Sequence, residues 1–345
     1  MDNALVSVAP GRPLREGIER ILQANMGALI VVGDDDSVLN ICSGGFLFDA
    51  EFTPQRLSEL AKMDGAIILA PDASRIARAN VHLVPDPNVE TTETGTRHRT
   101  AERVARSIDV PVISVSEDLS IITVYRNDLK HLVEPIPRLL NRANQALQTL
   151  ERYRNRLDSV TATLSALEVE DLVTLRDVVT VIQRAEMVRR IAEEINSYVL
   201  QLGEDGRLVT LQLDELMMGV GDSRRLVVRD YMKTPSKLDR CLNIISSFSP
   251  KDLSDPEAVG KVLGLSPEMK LESSGLEPRG YRLLIQIPRL SMNVVNSLVE
   301  HFKNLRNIMQ ASIEELDAVE GIGEARAKAI KEGLARVAES SILER

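Results

Sequence analysis

The sequence has few cysteines and no tryptophan, and both shortages exclude kinds of site. Cys42 and Cys241 are the only cysteines among 345 residues, and neither has a second Cys or a His at metal-ligand spacing. Neither a disulfide framework nor a structural zinc site is therefore indicated, and two isolated thiols fit a reducing cytoplasm. The absence of Trp, with only five Tyr and five Phe, also disfavours a stacking platform for single-stranded nucleic acid.

Long apolar runs and an excess of positive charge are missing too. The longest apolar stretches, 28–32 and 66–70, are strand-sized and far shorter than the roughly 20 residues of a membrane span. Residues 1–10 do not resemble a signal peptide, so we expect no membrane association. The net charge of −9 argues against chain-wide binding of nucleic acid, because phosphate neutralisation requires clustered Lys and Arg. Any contact with DNA should be local.

The length of 345 residues and the 43% hydrophobic content predict a globular chain of two or three domains. From residue 12 to about 128, short β-branched runs alternate with amphipathic stretches, which is typical of an α/β domain with a central mixed sheet. We expect strands at 28–32, 38–42, 65–69, 81–84, 110–115 and 121–125, and helices at 54–63 and 100–108.

After residue 130 the strand pattern stops and a helical pattern begins. Apolar residues recur from Leu139 to Leu167 in alternating steps of four and three, which predicts a long helix with one apolar stripe. The stripe either packs on helices of the same chain or forms a coiled coil between subunits. Further helical patterns at 182–202 and 224–248, with a loop at 249–256, predict an all-helical spacer.

The densest polar cluster, residues 93–100, lies directly before a helical pattern. A helix N-terminus presents free N–H groups and the positive end of its dipole to an anion. Arg97 and Arg99 supply planar donor forks, and Thr96 and Thr100 supply hydroxyls. The cluster is either a polyphosphate cradle or a solvated basic turn that caps a helix.

A second candidate site precedes the apolar run at 66–70. Asp64 is followed by Gly65 and Ala66, which leave room for a ligand near the backbone. Asp64 is either a ligand of Mg²⁺ or part of an ordinary turn, since Asp-Gly before a strand is common in turns.

Four segments together resemble the DAC domain of the diadenylate cyclases. They are Ser-Gly-Gly-Phe at 43–46, Asp-Gly-Ala at 64–66, Ala-Asn-Val-His-Leu at 79–83, and the string 95–103 that contains Arg97-His98-Arg99. The resemblance covers the whole chain, because the DNA-integrity-scanning members of this family add a helical spacer and a helix-hairpin-helix module. It divides the chain into a DAC domain at 1–130, a spacer at 131–285 and a helix-hairpin-helix domain at 286–345.

The resemblance implies an enzyme that condenses two ATP into cyclic di-AMP and two pyrophosphates. Asp64 would bind the catalytic Mg²⁺ or Mn²⁺ and help to activate the attacking 3′-hydroxyl, with Arg97, His98 and Arg99 as the other catalytic residues. His98 is either a general base, because imidazole titrates near neutrality, or a donor to phosphate. The implied ATP contacts come from four segments: Gly65, Ala66, Leu83, Thr96, Arg97, His98, Arg99, Thr100 and Ser116.

Cyclisation adds one geometric demand. Each 3′-hydroxyl must attack the α-phosphate of the other ATP, so two aligned nucleotide sites must face each other. One DAC domain provides one such site. We therefore expect at least an isologous homodimer, and the family resemblance points to an octamer.

Near the C-terminus, Gly321-Ile322-Gly323 separates two helical patterns and resembles the turn of a helix-hairpin-helix motif. Backbone N–H groups at such a turn bind DNA phosphate without reading bases. Arg326 and Lys328 would add positive charge, and the resemblance implies branched or damaged DNA as the partner. The alternative is an ordinary corner between two helices. A first hairpin, which lacks both glycines, is expected at 287–295.

Two other functions are open at this stage. The chain could be an ATP-binding sensor of DNA structure without chemistry, or a DNA-binding structural protein whose N-terminal domain only assembles subunits. A carboxylate at Asp64 beside a phosphate loop argues against a pure sensor. A purely structural role does not explain why Arg, His and Thr are concentrated at the start of one helix.

Overall fold

The computed structural model describes residues 1–117, 121–265, 275–288 and 290–343. The chain packs as two compact units, the first formed by Met1–Gln145 with Ile195–Gln212 and the second by Ala146–Glu194 with Leu213–Arg345. The domain boundaries predicted at 130 and 285 fall inside these units and stay predictions.

The first unit is built on one mixed sheet whose eight strands are β1 Ala28–Val32, β2 Cys42–Ser43, β3 Phe46–Glu51, β4 Ala66–Leu69, β5 Arg75–Leu83, β6 Val112–Val115, β7 Ile122–Arg126 and β8 Leu129–Val133. The strand order is β2-β5-β4-β1-β6-β7-β8, and β3 also pairs with β5. Among the described strands, β1 and β4 pair in parallel and the other neighbours pair antiparallel. The predicted mixed sheet is confirmed.

Helices cover both faces of this sheet: α1 Asp2–Ser7, α2 Pro13–Gln23, α3 Asp36–Asn40, α4 Pro54–Leu60 and α5 Thr96–Ser107. Alternate residues of a strand point to opposite faces of the sheet, so one strand contributes side chains to two hydrophobic cores. Ile30 packs with Ile18 and Leu57 of α2 and α4, whereas Val31 packs with Val104 of α5. The five-residue apolar run of β1 is therefore buried throughout.

Two predictions for the first unit were wrong. Residues 38–42 were expected to form a strand, but 36–40 form α3, because the Asp35 carboxylate accepts a hydrogen bond from Val38 N at 3.0 Å and caps the helix. Strands were expected to stop at 130, but β8 pairs with β7 across a turn in which Asn127 has φ of 52°. Asn tolerates this left-handed conformation better than most residues.

The all-helical spacer is confirmed. Its helices are α6 Ile136–Glu170, α7 Leu175–Leu202, α8 Arg207–Met217, α9 Val220–Tyr231, α10 Leu238–Ser247, α11 Pro250–Leu253 and α12 Pro256–Leu263. The apolar stripe of α6 is buried within the single chain, as Leu150 and Leu164 show, which favours packing on helices of the same chain. The predicted helix at 224–248 is two helices, α9 and α10. The predicted loop at 249–256 contains α11, which a capping box between Ser249 and Asp252 starts.

The C-terminal part of the second unit contains α13 Tyr281–Leu284, α14 Met292–Phe302, α15 Leu305–Gln310, α16 Ile313–Asp317 and α17 Glu324–Leu343. These helices share one core, which includes Leu284, Leu298, Leu316 and Ile330. The predicted glycine hairpin lies between α16 and α17. The predicted first hairpin joins α13 to α14, and its Arg289 lies outside the described residues. Within the described ranges, every helix is too short or too polar to span a bilayer.

Candidate active site and DNA-binding hairpin

The strand directions bring distant segments to one edge of the sheet. Because β1 and β4 are parallel and both neighbours β5 and β6 run the other way, β1 and β4 begin where β5 and β6 end. Asp64 and Gly65 precede β4, Leu83 ends β5, and Ser116 follows β6. The predicted site residues of these three segments therefore meet at this edge.

An open cleft of about 490 Å³ lies at this edge, against the start of α5. It is lined by Leu29, Asp64, Gly65, Ala66, Val81, His82, Leu83, Gly95, Thr96, Arg97, His98, Thr100, Ser116 and Glu117. All residues predicted to bind ATP line this cleft except Arg99. Arg99 is exposed and lies outside the cleft lining.

The backbone at Asp64 is fixed by a neighbouring strand. Asn80 Nδ2 donates a hydrogen bond to the Asp64 carbonyl oxygen at 2.6 Å. Gly65 follows with φ of +97°, and a Cβ there would lie 2.8 Å from the Val81 carbonyl oxygen. Both the left-handed backbone and this close approach require glycine. The Asp64 side chain is exposed and free to meet a ligand in the cleft.

The loop before α5 is held by the helix that it starts. Glu102, which is 6% exposed, accepts hydrogen bonds from the Thr91 hydroxyl and from Thr92 N, the latter at 3.0 Å. Arg103 Nε and Arg106 Nη1 donate to carbonyl oxygens of the same loop at 2.9 and 2.7 Å. Glu102, Arg103 and Arg106, which follow the Arg-His-Arg segment, therefore have a structural role: they hold this loop against α5.

The first turn of α5 offers donors to an anion. Gly95 is the N-cap and provides no capping side chain, so the first N–H groups of the helix remain for a ligand. The Thr100 hydroxyl donates to the Thr96 carbonyl oxygen at 3.0 Å, so its proton is already used within the helix. A Cβ on Gly27 would lie 2.0 Å from Arg97 Nη1, which shows that the Arg97 guanidinium rests on the backbone just before β1.

His98 belongs to a chain of polar contacts. His98 Nδ1 lies 2.9 Å from the Tyr125 hydroxyl, which donates to Glu93 Oε1 at 3.0 Å, and Lys130 Nζ pairs with the same carboxylate oxygen. Burial lowers the pKa of His98, against the opposing effect of Glu93. Burial and the hydrogen bond to Glu93 raise the pKa of Tyr125. Burial alone would raise the pKa of Glu93, but its hydrogen bonds from Lys130 and Tyr125 hold it below its usual value.

The C-terminal hairpin has the geometry of a tight turn between α16 and α17. Gly321 has φ of +83°, and Arg326 Nη1 donates to its carbonyl oxygen at 2.6 Å. A Cβ on Gly323 would meet no described atom within 4 Å. Lys328 Nζ pairs with Glu324 at 2.7 Å on the surface of α17. Arg326 and Lys328 were predicted to add positive charge at the hairpin. Arg326 also stabilises the turn through its hydrogen bond, and Glu324 partly neutralises the charge of Lys328.

Comparison with known proteins accounts for the whole chain. Residues 15–129 match the family described as DisA bacterial checkpoint controller nucleotide-binding, residues 133–272 match its linker region, and residues 283–342 match a helix-hairpin-helix motif. The DNA integrity scanning protein DisA of Parafrankia sp. is 54% identical over 344 residues, which are 99% of this chain and 96% of that protein. The protein of the same name from Acidothermus cellulolyticus is 53% identical over 346 residues, 99% of this chain and 94% of that protein.

The chain belongs to the DisA family. A solved structure of DacA from Staphylococcus aureus is 22% identical and covers 39% of this chain and 88% of its own, with a TM-score of 0.31. As a DisA-family protein, the chain is a diadenylate cyclase, an ATP-dependent nucleotidyltransferase with a C-terminal helix-hairpin-helix module. The enzyme class and the fold order predicted from the sequence are confirmed.

Enzymes of this family depend on a metal ion. Asp64 and Glu117 are the carboxylates of the cleft wall. In the ranges that the structure describes, no group of three or more His, Cys, Asp or Glu side chains is placed so that it could hold a metal ion by itself. Mg²⁺ is usually held by one or two carboxylates together with substrate phosphates, so this donor set fits an ion that binds with ATP.

Five residues of the cleft wall were not among the predicted site residues: Leu29, Val81, His82, Gly95 and Glu117. Val81 and His82 lie within the Ala-Asn-Val-His-Leu string that supports the DAC-domain resemblance, and Gly95 begins the string 95–103. Glu117 directly follows Ser116, so a signal was present for these four residues. Leu29 carries no signal, because an apolar residue near the start of a buried strand has the same pattern as the residues of the core.

Proposed function

We propose that each cleft binds one ATP and aligns it for condensation into cyclic di-AMP. One observation supports this most directly: the exposed Asp64 and the free N-terminus of α5, with Thr96 and Arg97, line the same 490 Å³ cleft. That volume lies in the range of about 300–1,000 Å³ typical of ligand pockets, which suits a single nucleotide.

The triphosphate would lie against the start of α5. The free N–H groups of the first turn, the Thr96 hydroxyl and the Arg97 guanidinium would donate to phosphate oxygens, and such charge-assisted bonds are stronger than neutral ones. Asp64, with Glu117 as a second carboxylate, would hold Mg²⁺ or Mn²⁺. When bound, the metal ion would supply charge neutralisation for the phosphates. Arg99, outside the cleft lining, would have a weaker role.

The base would lie toward the strand ends, and the ribose between the base and the first turn of α5. Leu29, Val81 and Leu83 are buried apolar residues of the cleft wall and would contact the adenine ring. Alignment is the main task of the protein in phosphoryl and nucleotidyl transfer, because little covalent chemistry is required of the side chains.

A second subunit would complete the reaction. One cleft of this size holds one ATP, and the α-phosphate that its 3′-hydroxyl attacks belongs to another ATP. Two clefts must therefore face each other across a two-fold axis, which makes an isologous dimer the smallest active form. The octamer implied by the family resemblance would contain such pairs.

The helix-hairpin-helix module would bind DNA through phosphates with little base preference. The open space at Gly323 lets a phosphate oxygen approach the N–H groups at the start of α17. Gly321, Ile322, Arg326 and Lys328 would complete this contact. Branched or damaged DNA is the proposed partner, because a backbone-binding turn recognises shape and not sequence.

The decisive experiment is product analysis. Purified protein is incubated with ATP and either Mg²⁺ or Mn²⁺, and the products are identified by mass. We expect cyclic di-AMP and pyrophosphate in a ratio of one to two, and no product without the metal. Formation of ADP and phosphate alone, or ATP binding without turnover, would contradict the proposal and favour an ATP-binding sensor of DNA structure.

A further inference from the structure

The contacts of Tyr125 decide which nitrogen of His98 carries a proton. Tyr125 is 1% exposed, so its hydroxyl has only protein partners to satisfy. Its oxygen lies 3.0 Å from Glu93 Oε1 and 2.9 Å from His98 Nδ1. A phenol has one proton to donate, and it can donate it to only one of these two neighbours.

Glu93 receives that proton. The Glu93 side chain is 14% exposed, and its Oε1 also accepts from Lys130, which keeps the carboxylate ionised and lowers the pKa of Glu93. An ionised carboxylate accepts hydrogen bonds and cannot donate one. Tyr125 must therefore donate to Glu93, and its oxygen is left as an acceptor for a proton on His98 Nδ1.

The fold holds this arrangement in place from three elements. Tyr125 on β7 and Lys130 on β8 are opposite each other in the antiparallel register, so their side chains lie on the same face of the sheet. His98 is in the first turn of α5, and Glu93 is in the loop that Glu102 anchors to that helix. The His98 and Tyr125 rings meet edge to face, with centroids 6.3 Å apart.

We propose that Tyr125 and Glu93 are positioning residues that hold His98 in the Nδ1–H tautomer, so that Nε2 accepts a hydrogen bond from a ribose hydroxyl of ATP. Nδ1 is occupied by Tyr125, and His98 lines the cleft, so Nε2 is the ring nitrogen left for the nucleotide. A bare Nε2 cannot donate to a phosphate oxygen, and the ribose hydroxyls are donors. This role for His98 rests on the proposed function, whereas the tautomer itself does not.

The tautomer can be measured in protein without nucleotide. The chain has four histidines, so ¹⁵N-histidine labelling gives four imidazole spectra, and His98→Gln identifies one of them. We expect the His98 Nε2 signal to be that of a bare nitrogen in the parent. In Tyr125→Phe, which removes one hydroxyl from a buried ring, Nδ1 loses its acceptor and the two tautomers should exchange.

Two variants of Glu93 make the test independent of whether Tyr125→Phe folds. Glu93→Ala removes the acceptor of the Tyr125 proton, so Tyr125 can donate to Nδ1 and His98 should change to the Nε2–H form. Glu93→Gln keeps a carbonyl oxygen as acceptor and should keep the parent tautomer. His131→Gln is the matched control, because His131 contacts Gln201 at 2.8 Å and is not a residue of the cleft wall.

Kinetics then test the role in catalysis. We expect Tyr125→Phe and Glu93→Ala to lower the rate of cyclic di-AMP formation by roughly 10- to 100-fold, the effect known for groups that orient metal-bound histidines, with a smaller loss in Glu93→Gln. ATP should also bind more tightly than 2′,3′-dideoxy-ATP in the parent, and this preference should shrink in Glu93→Ala.

Three results would overturn the inference: an Nε2–H tautomer in the parent, an unchanged tautomer in Glu93→Ala, or an altered tautomer with unchanged rates. If the parent makes no cyclic di-AMP at all, the proposed function fails, and the spectra still decide the tautomer.

Discussion

Asn80 and Asp64 are joined by a hydrogen bond of 2.6 Å from the Asn80 side-chain amide to the Asp64 carbonyl oxygen. Asn80 has φ of 55° within β5, a left-handed conformation that Asn adopts more easily than most residues. Asn80 therefore stabilises the turn at Asp64 in two ways: its backbone adopts the left-handed conformation, and its side chain donates the hydrogen bond.

Replacement of Asn80 by Gly separates these two contributions. Gly keeps the left-handed backbone and removes the amide, so we expect the free energy of unfolding to fall by about 1 kcal/mol. The rate of cyclic di-AMP formation should fall by more than this loss of stability explains, because Asp64 loses its support. Asn127→Gly, at a turn with φ of 52°, is the control and should leave the rate unchanged. Equal rates in the two variants would show that Asn80 has no role in the site.

Asp64→Asn tests the carboxylate itself. The substitution preserves volume and removes the charge that we assign to metal binding, so the rate should fall by roughly 10²- to 10³-fold, as when a single electrostatic group is removed from an active site. The melting temperature should not change. Glu59→Gln, which neutralises an exposed carboxylate on α4, provides the comparison. Turnover in Asp64→Asn close to that of the parent would exclude the metal-binding role.

The two arginines of the Arg-His-Arg segment should differ. Arg97 lines the cleft, whereas Arg99 is exposed and does not. A charge-assisted hydrogen bond contributes about 1.5–3 kcal/mol, so Arg97→Ala should weaken ATP binding by roughly 10- to 150-fold. An exposed charge contributes about 0–1 kcal/mol, so Arg99→Ala should have an effect of fivefold at most. Calorimetric titration with a non-hydrolysable ATP analogue measures both. A larger loss in Arg99→Ala would reverse the assignment.

Gly27→Ala tests Arg97 from the opposite side. A Cβ at this position would lie 2.0 Å from Arg97 Nη1, and the end of a flexible side chain can move away at little cost. We expect an unchanged melting temperature together with weaker ATP binding, because the guanidinium is displaced. In the Arg97→Ala background the same substitution should have no further effect on binding. Additive losses in the double variant would show that Gly27 acts through another contact.

The glycines of the C-terminal hairpin also make separable predictions. Gly321 has a left-handed φ of +83°, so Gly321→Ala should cost about 1–2 kcal/mol of stability. Gly323→Ala meets no described atom within 4 Å and should fold normally, yet its methyl group would occupy the space that we propose for a DNA phosphate. We expect DNA binding, measured by gel shift at several salt concentrations, to be lost in Gly323→Ala while the basal cyclase rate is kept. Full DNA binding in this variant would remove the hairpin from the interface.

Point variants test the C-terminal module more cleanly than a deletion. The core of this region includes Leu284 and Ile287, which precede residue 288, and a Cβ on Gly333 of α17 would lie 2.6 Å from Ile287 Cγ2. Removal of 288–345 would expose these apolar side chains. A loss of activity after such a deletion would then reflect unfolding as much as a catalytic role.

The sequence predicted the buried strands well, because short apolar runs are local signals. The linked motifs are local signals too, and the residues predicted from them to bind ATP, except Arg99, line one cleft, while their roles stay predictions. Prediction from the sequence failed where a second local signal competed with the first, and where a strand had no local signal. Val38 and Leu39 have strand-forming character, but the Asp35 cap turns them into α3. Phe46 and Leu47 in β3 are exposed, at 58% and 76%, so this edge strand carries no alternating pattern that would reveal it.

The same limit applies to the site. The Arg-His-Arg segment is visible in the sequence, but the distinction between Arg97 and Arg99 depends on the direction of the first turn of α5. Tyr125 and Glu93 are 32 residues apart, and nothing in their local patterns indicates that they share a proton network. Such long-range pairs arise from the register of β7 and β8 against α5, which only the folded structure shows.

The proposed binding of ATP in the cleft would also link the nucleotide to folding. The residues that line the cleft come from segments as distant as Leu29 and Glu117, so the binding site exists only after β1, β4, β5, β6 and α5 have assembled. An unfolded chain has no comparable affinity for ATP, and by mass action the native state gains about 2.7 kcal/mol when ATP is present at 100 times its dissociation constant. ATP bound in this site would therefore stabilise the native state of the enzyme against unfolding. The lifetime of the protein in the cell should then increase with the supply of ATP.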